Sequence, residues 1–306
     1  MENWDIQKRI NWNVEVMPII KERLALFNQY GIIPTLKTIF YSLVNLNIIP
    51  NSFYYYTYLI QYSTKARIRG DLPINCFPEQ DLPRIRNSYS EFVNAKEYIQ
   101  KIINYLEEPS ANPFRRDCNF TNKNIPSNSD IEIWVEKNTL SFTLHNLLKH
   151  LCIKIISNKR TNNLEFITNN IKRLKCSVKE DKKIYILYFG NFDLFNNNID
   201  KIINNALLDF NLNIDFKKIA VTENQMRKFH LPENPNPKII RKLDRNLQKD
   251  YFIKKYGRLF QIEVEALPAY APEKFKNMVL ESVNNIFQKY QNCENIKNYS
   301  FNGLRF

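Results

Sequence analysis

Two hydrophobic periods alternate through the second half of the chain, and that alternation narrows its fold more than any other feature. From residue 130, "DIEIWVE" is a short run of β-branched and aromatic residues, and "NTLSFTLHNLLKHL" after it spaces its apolar residues at helical steps. "CIKIISN", "KKIYILYFG" and "DFKKIAVT" are further runs of the first kind, while "TNNLEFITNNIKRLK" and "NIDKIINNALLDF" are further stretches of the second. Short apolar or alternating runs read as strands, and a period of about 3.6 residues reads as an amphipathic helix. Parallel neighbours need a crossover between them, so strands that alternate with helices predict an α/β fold with a mostly parallel sheet and helices on both faces.

The first half reads as helical. Apolar residues recur at helical spacing over 15–28 and 89–106. Between them lie "PTLKTIFYSLVNLN", with Pro34 at a natural helix start, and "NSFYYYTYLIQYSTKARIRG", with Ser52 as N-cap and Gly70 as stop. A short turn, "NIIPN", joins the two, which is the outline of a helix-turn-helix or winged-helix module. The expected organisation is a helical winged-helix domain over 1–108, a Pro-, Asn- and Ser-rich linker over 109–129, and an α/β domain over 130–306. The last of these carries a basic helical region, a strand "RLFQIEVEAL" and a final amphipathic helix over 272–291.

Helical angles of about 100° per residue assign faces to the two central helices. In the second, Tyr54, Tyr58, Gln61, Lys65 and Arg69 share one stripe, and Tyr56, Leu59, Ile60 and Ser63 share the opposite, core-facing one. Lys65 and Arg69 suit phosphates, and Tyr54 and Tyr58 suit hydroxyl contacts or stacking. In the first, the core stripe is Leu36, Ile39, Phe40 and Leu43, which predicts that Tyr41 points outward beside Lys37, itself a candidate DNA contact. An outward tyrosine is either a surface residue or a phenol placed for chemistry, since a phenolate can attack a phosphodiester.

Two carboxylates stand at expected strand ends. Glu136 closes "EIWVE", and Asp193 follows "YILYFG" with Asn191 two positions before it. The carboxyl ends of parallel strands are where open α/β sheets bind ligands. A carboxylate pair there can hold Mg²⁺, or Mn²⁺ in its place, whereas each acid singly could serve as a helix cap. Histidines at 145, 150 and 230 share no spacing, and the 5 cysteines form no CxxC, so neither a zinc site nor a disulfide framework is expected. Only 5 glycines are present, and no Gly-rich phosphate loop is readable.

The net charge is +13 and the pI about 9.4, which favours a polyanionic partner, nucleic acid first. Residues 237–258 concentrate that charge in Lys238, Arg241, Lys242, Arg245, Lys249, Lys254, Lys255 and Arg258. This is either a solvated helix face or a surface that tracks phosphates. No signal core and no membrane-length apolar run is readable, so a cytoplasmic, DNA-associated protein with no membrane partner is expected.

These pieces together resemble the Toprim family, and more narrowly the A subunit of topoisomerase VI and its small relatives in mobile elements. "LKTIFYSLV" resembles the motif that carries that family's nucleophilic tyrosine, with Tyr41 at its position and Lys37 where the family has arginine. "IEIWVEKNTL" is similar to the Toprim glutamate strand and matches Glu136. "YILYFGNFD" is similar to the strand bearing the Asp-x-Asp pair, with Asp193 at its second position and Asn191 at its first. "IEVEALP" resembles a late acidic strand and brings Glu263 and Glu265 in as accessory acids.

The resemblance implies a winged-helix domain joined to a Toprim domain, acting on double-stranded DNA as a homodimer. Tyr41 would attack the backbone, and Mg²⁺ would be held by Glu136, Asp193 and Asn191. An ATPase B-type subunit would be separate, since no ATP-binding motif is readable here. Asparagine at 191 brings no charge to a cation, so the resemblance also admits a DNA-binding protein that does not cleave, acting in replication or maintenance of a mobile element. A Toprim nuclease directed at RNA is a third expectation.

Overall fold

The computed structural model describes residues 10–78, 85–87, 129–149, 151, 153–158, 163–177, 183–194, 196, 199, 203, 213–237 and 247–301. The expected helix over 89–106, the linker up to residue 128, and Arg241, Lys242 and Arg245 lie outside the described residues.

A π-helical turn (Trp12–Val16) leads into α1 (Met17–Gln29), followed by α2 (Leu36–Asn45) and α3 (Phe53–Arg69). The Thr35 side chain caps α2 by accepting from the Thr38 N–H at 3.0 Å, so the cap falls one residue after Pro34. Ser52 caps α3 by accepting from the Tyr54 N–H, and Gly70, at φ 81°, ends it in the left-handed conformation.

The remaining elements are β1 (Ile85–Asn87), β2 (Ser129–Val135), α4 (Asn138–Leu148), β3 (Lys154–Ser157), α5 (Asn163–Ser177), β4 (Lys183–Phe189), β5 (Ile214–Ala220), α6 (Glu223–Lys228), α7 (Leu247–Tyr256), α8 (Ala266–Tyr270) and α9 (Pro272–Phe301). Strand and helix alternate as expected from β2 to β4, the expected helix in "NIDKIINNALLDF" lies outside the described residues apart from Ile199 and Ile203, and the protein is mixed α/β. The sheet order is β1-β3-β2-β4-β5, with β3, β2, β4 and β5 parallel and β1 antiparallel at the edge. β2 and β4 pair over their full lengths, from Ser129 opposite Lys183 to Val135 opposite Phe189.

The period of two sorts the sheet's side chains into two cores. Ile131, Ile133, Val135, Tyr185, Leu187 and Phe189 join a large cluster that also holds Ile20, Phe40, Leu59, Val264 and Phe275. The N-terminal helices and the sheet thus share one apolar core. On the opposite face Trp134, Ile184, Ile186 and Tyr188 pack with Phe166, Ile167 and Ile171 of α5. Buried among them is Glu132, whose carboxylate accepts from Trp134 Nε1 at 3.0 Å and from both terminal nitrogens of Arg173. A buried carboxylate is tolerable only when paired in this way.

Two expectations fail here. "RLFQIEVEAL" is not a strand. Ile262 exchanges backbone hydrogen bonds with Phe192 at 2.8 and 2.9 Å, and the chain then turns at once. The Ala266 N–H donates back to the Glu263 carbonyl at 3.0 Å and starts α8, so local bonds consume the backbone groups that a ladder would need. Tyr41 is not outward either. It is wholly buried, because α2 packs against α1 on one side and against α8 on another, leaving it more than one covered face.

Candidate functional site

The four parallel strands change direction of progression between β2 and β4. β2 leads through α4 to β3 on one side, and β4 lies on its other side. In open α/β sheets ligands bind outside the carboxyl ends of the two strands at such a point. Glu136 directly follows β2, and its N–H donates to the Phe189 carbonyl at 2.9 Å. Asn191 and Asp193 follow β4. The sequence-derived trio therefore does meet at one place.

What joins the trio is a set of side-chain amides. Glu136 Oε1 accepts from Asn191 Nδ2 at 2.8 Å, and Glu136 Oε2 accepts from the Asn191 N–H at 2.8 Å and from Asn196 Nδ2 at 3.1 Å. Asp193 Oδ1 accepts from the Asn196 N–H at 2.9 Å and from the same Asn196 Nδ2 at 3.0 Å. Asp193 Oδ2 accepts from Gln261 Nε2 at 2.9 Å. Asn191 Oδ1 faces away, accepting from the Val264 N–H at 2.9 Å. The Lys218 ammonium donates to the carbonyls of Asn191 and Asn196 at 3.2 and 3.0 Å. Tyr188 closes the floor with its hydroxyl on Asn196 Oδ1 at 2.8 Å, and burial, with Glu136 and Asp193 adding to it, pushes that phenol well up.

Mg²⁺ takes oxygen ligands in near-octahedral array. Here every oxygen of Glu136 and Asp193 already accepts an N–H, the Asn191 carbonyl oxygen is engaged elsewhere, and a lysine ammonium sits against the loop. The positive ends of N–H dipoles meet the two carboxylates where a cation would sit. In this arrangement the residues do not fit the metal. Among the described residues no group of three or more His, Cys, Asp or Glu is placed to hold one.

The second half of the site is centred on Glu263, just before the turn into α8. Glu263 Oε2 accepts from the Tyr41 hydroxyl at 2.7 Å and pairs with Lys37 Nζ at 3.0 Å, and its Oε1 pairs with Lys137 Nζ at 3.3 Å. Burial works against the Glu263 carboxylate, but Lys137, Lys37 and the Tyr41 hydroxyl outweigh it and hold this acid below its ordinary range. Burial raises the Tyr41 phenol far above its ordinary value, and the Glu263 charge raises it further. Glu265 is also buried, and desolvation is the largest influence on it, so it is held above its ordinary range. Its Oε2 has no hydrogen-bond partner, which agrees with a carboxyl kept protonated. The Val264 bond to Asn191 and the adjacency of Glu136 and Lys137 make the two halves one continuous polar seam.

Lys37, expected on a DNA face, is committed inward. Besides Glu263 it lies over the Tyr56 ring at 4.3 Å, and burial followed by Glu263 and Glu265 pushes that phenol up to about 12. On α3 the expected faces largely hold. Leu59, Ser63 and Ala66 are buried, while Lys65, Arg69 and Tyr54 are exposed. Ile60, expected inside, is exposed, and Tyr58 is half-buried against Trp12 at a ring separation of 6.1 Å. Arg69 is held by Asp71 at 2.8 Å and Asn13 at 3.2 Å, and the Tyr54 hydroxyl donates to Tyr58 at 2.9 Å.

Asn196, Gln261, Lys218 and Lys137 were not foreseen as site residues. Asn196 alone had a local signal, since its spacing of three from Asp193 allows the carboxylate to accept from its backbone N–H. Comparison of the chain with protein-family models, curated proteins and solved structures gives no match, so the reading of this site rests on its own geometry. Among the described residues no helix is long and apolar enough to cross a membrane.

Proposed function

We propose that this chain is a DNA-binding protein of the Toprim-like, topoisomerase VI A-like kind that works without a metal and without cleaving DNA. The observation that carries the reading is the burial of the Tyr41 hydroxyl on Glu263. A nucleophile must reach the phosphate it attacks, and this one is buried where α2 packs against α1 and α8 and is held in its neutral form. The filled switch-point site points the same way. DNA is favoured as the partner by the net charge of +13 and by the exposed Lys65, Arg69 and Tyr54 on α3.

The test is duplex binding followed by fluorescence anisotropy over a salt series, with and without EDTA, beside incubation of supercoiled plasmid with Mg²⁺ or Mn²⁺. Binding that falls steeply with salt and ignores EDTA, with no protein–DNA adduct, is expected. An adduct that Tyr41→Phe abolishes would overturn the reading.

One observation favours the cleaving alternative. A phenol at 2.7 Å from a carboxylate is a nucleophile within reach of a base. In that reading α2 and α8 part, Glu263 takes the Tyr41 proton, the phenolate oxygen bonds to phosphorus, and the deoxyribose oxygen of the next nucleotide leaves. The same adduct assay decides between the two.

A further inference from the structure

We propose that the Asn196 side chain occupies the place of a shared cation, so that the switch-point site is a latent divalent-metal site plugged by one amide. The argument rests on the closed-site reading above and makes it specific. Asn196 Nδ2 is held by two carboxylates from different strand ends, at 3.1 Å from Glu136 Oε2 and 3.0 Å from Asp193 Oδ1. A single donor group bridging two acids takes the bridging role that a cation would otherwise fill.

Three further contacts hold the plug. The Tyr188 hydroxyl fixes the amide's orientation through Oδ1 at 2.8 Å, the Asn196 N–H anchors on Asp193, and Lys218 Nζ grips the Asn196 carbonyl at 3.0 Å. Asn196 and Lys218 line a cavity of about 330 Å³ beside Phe192 and Phe216. The cavity reaches Asn196, and Glu136 and Asp193 do not line it.

If the amide is a plug, its removal should create metal affinity rather than only weaken the fold. Asn196→Ala takes away the donor that bridges the half-buried Glu136 and the buried Asp193. Asn196→Asp keeps the volume and adds a third carboxylate, raising the charge on which divalent affinity depends. Each purified full-length variant is titrated with Mn²⁺ alone, read by electron paramagnetic resonance and by the shift in melting temperature, with circular dichroism as the check of folding.

The wild-type chain is expected to bind no Mn²⁺ up to about 1 mM, and the variants to bind at least about 10-fold more tightly, Asn196→Asp the more strongly. Addition of Glu136→Gln to either variant should abolish the gain. Folded variants that gain no Mn²⁺ affinity overturn the plug, as does wild-type binding that Glu136→Gln removes. DNA binding of the wild-type chain in EDTA is measured alongside. If it persists while the variants fail to gain metal, the plug is wrong and the metal-independent reading stands. If it collapses in EDTA, that reading falls as well.

Discussion

The Tyr41 hydroxyl donates a 2.7 Å hydrogen bond to Glu263, a residue 222 positions further along the chain. Lys37, one helical turn before Tyr41, grips the same carboxylate oxygen, and Lys137 grips the other. One acid thereby ties α2 to the start of α4 and to the turn before α8.

Glu263→Gln removes the charge that two lysines share and should destabilise the protein by about 2 kcal/mol. That is below the ~3–5 kcal/mol for breaking a fully buried pair, because both lysines retain some solvent. Tyr41→Phe removes one hydrogen bond to a charged acceptor that keeps its two lysines, and should cost about 1 kcal/mol. Urea unfolding reads both, and a larger loss for Tyr41→Phe than for Glu263→Gln would contradict this ordering.

The two acids flanking Val264 predict opposite pH dependences. Glu263 is depressed in the folded state, so it contributes stability that is present above its unfolded value and is lost as pH falls through its folded value. Glu265 is raised, so the folded chain keeps a proton that the unfolded chain releases above about 4.5. Its contribution is fully present below that value and is lost as pH rises towards its folded value. Glu265→Gln should remove that decline and leave the protein more stable than wild type at pH 7. Melting temperatures between pH 4 and 8 measure it, and an unchanged slope would count against a protonated Glu265.

Gly190 is required by the ring of Tyr188. A Cβ at 190 would lie 2.4 Å from the Tyr188 ring, which is buried and fixed through Asn196 and cannot retreat. Gly190→Ala should cost about 2–3 kcal/mol, as overpacking does, and should loosen Asn196 through the displaced phenol. Thermal unfolding reads the first effect. Under the plug proposal, a weak gain of Mn²⁺ binding reads the second.

On the DNA side, Lys65 is exposed on α3, so Lys65→Ala should weaken duplex binding evenly across sequences and lower the slope of log affinity against log salt by about 1. Lys37→Ala should leave that slope unchanged, because its ammonium serves Glu263. Equal slopes for the two variants would place DNA elsewhere than on α3.

Much of this architecture was legible because it rests on local pattern. The apolar runs of β2 and β4, and the period of their helices, sufficed to put Glu136, Asn191 and Asp193 at neighbouring strand ends. The direction of Tyr41 was not legible, because a helical wheel assumes one covered face. α2 has others, supplied by a turn that the alternation in "IEVEAL" disguised as a strand. Asn196 looked like one asparagine among many in "NFDLFNN", and Gln261 and Lys218 acquire meaning only when β5 and the 260s segment close over the loop. Whether an acid binds a metal depends on what surrounds it, and those surroundings here come from four distant stretches of chain.

Because the N-terminal helices and the sheet are built around one core, α3 has no tether on which to swing. A duplex laid along its exposed face would take up a single heading relative to the strands, set by the packing of α2 between its neighbours. Under the DNA-binding proposal such a molecule would be a fixed bracket: whatever else it recruited would be presented at a constant angle to the helix axis of the duplex.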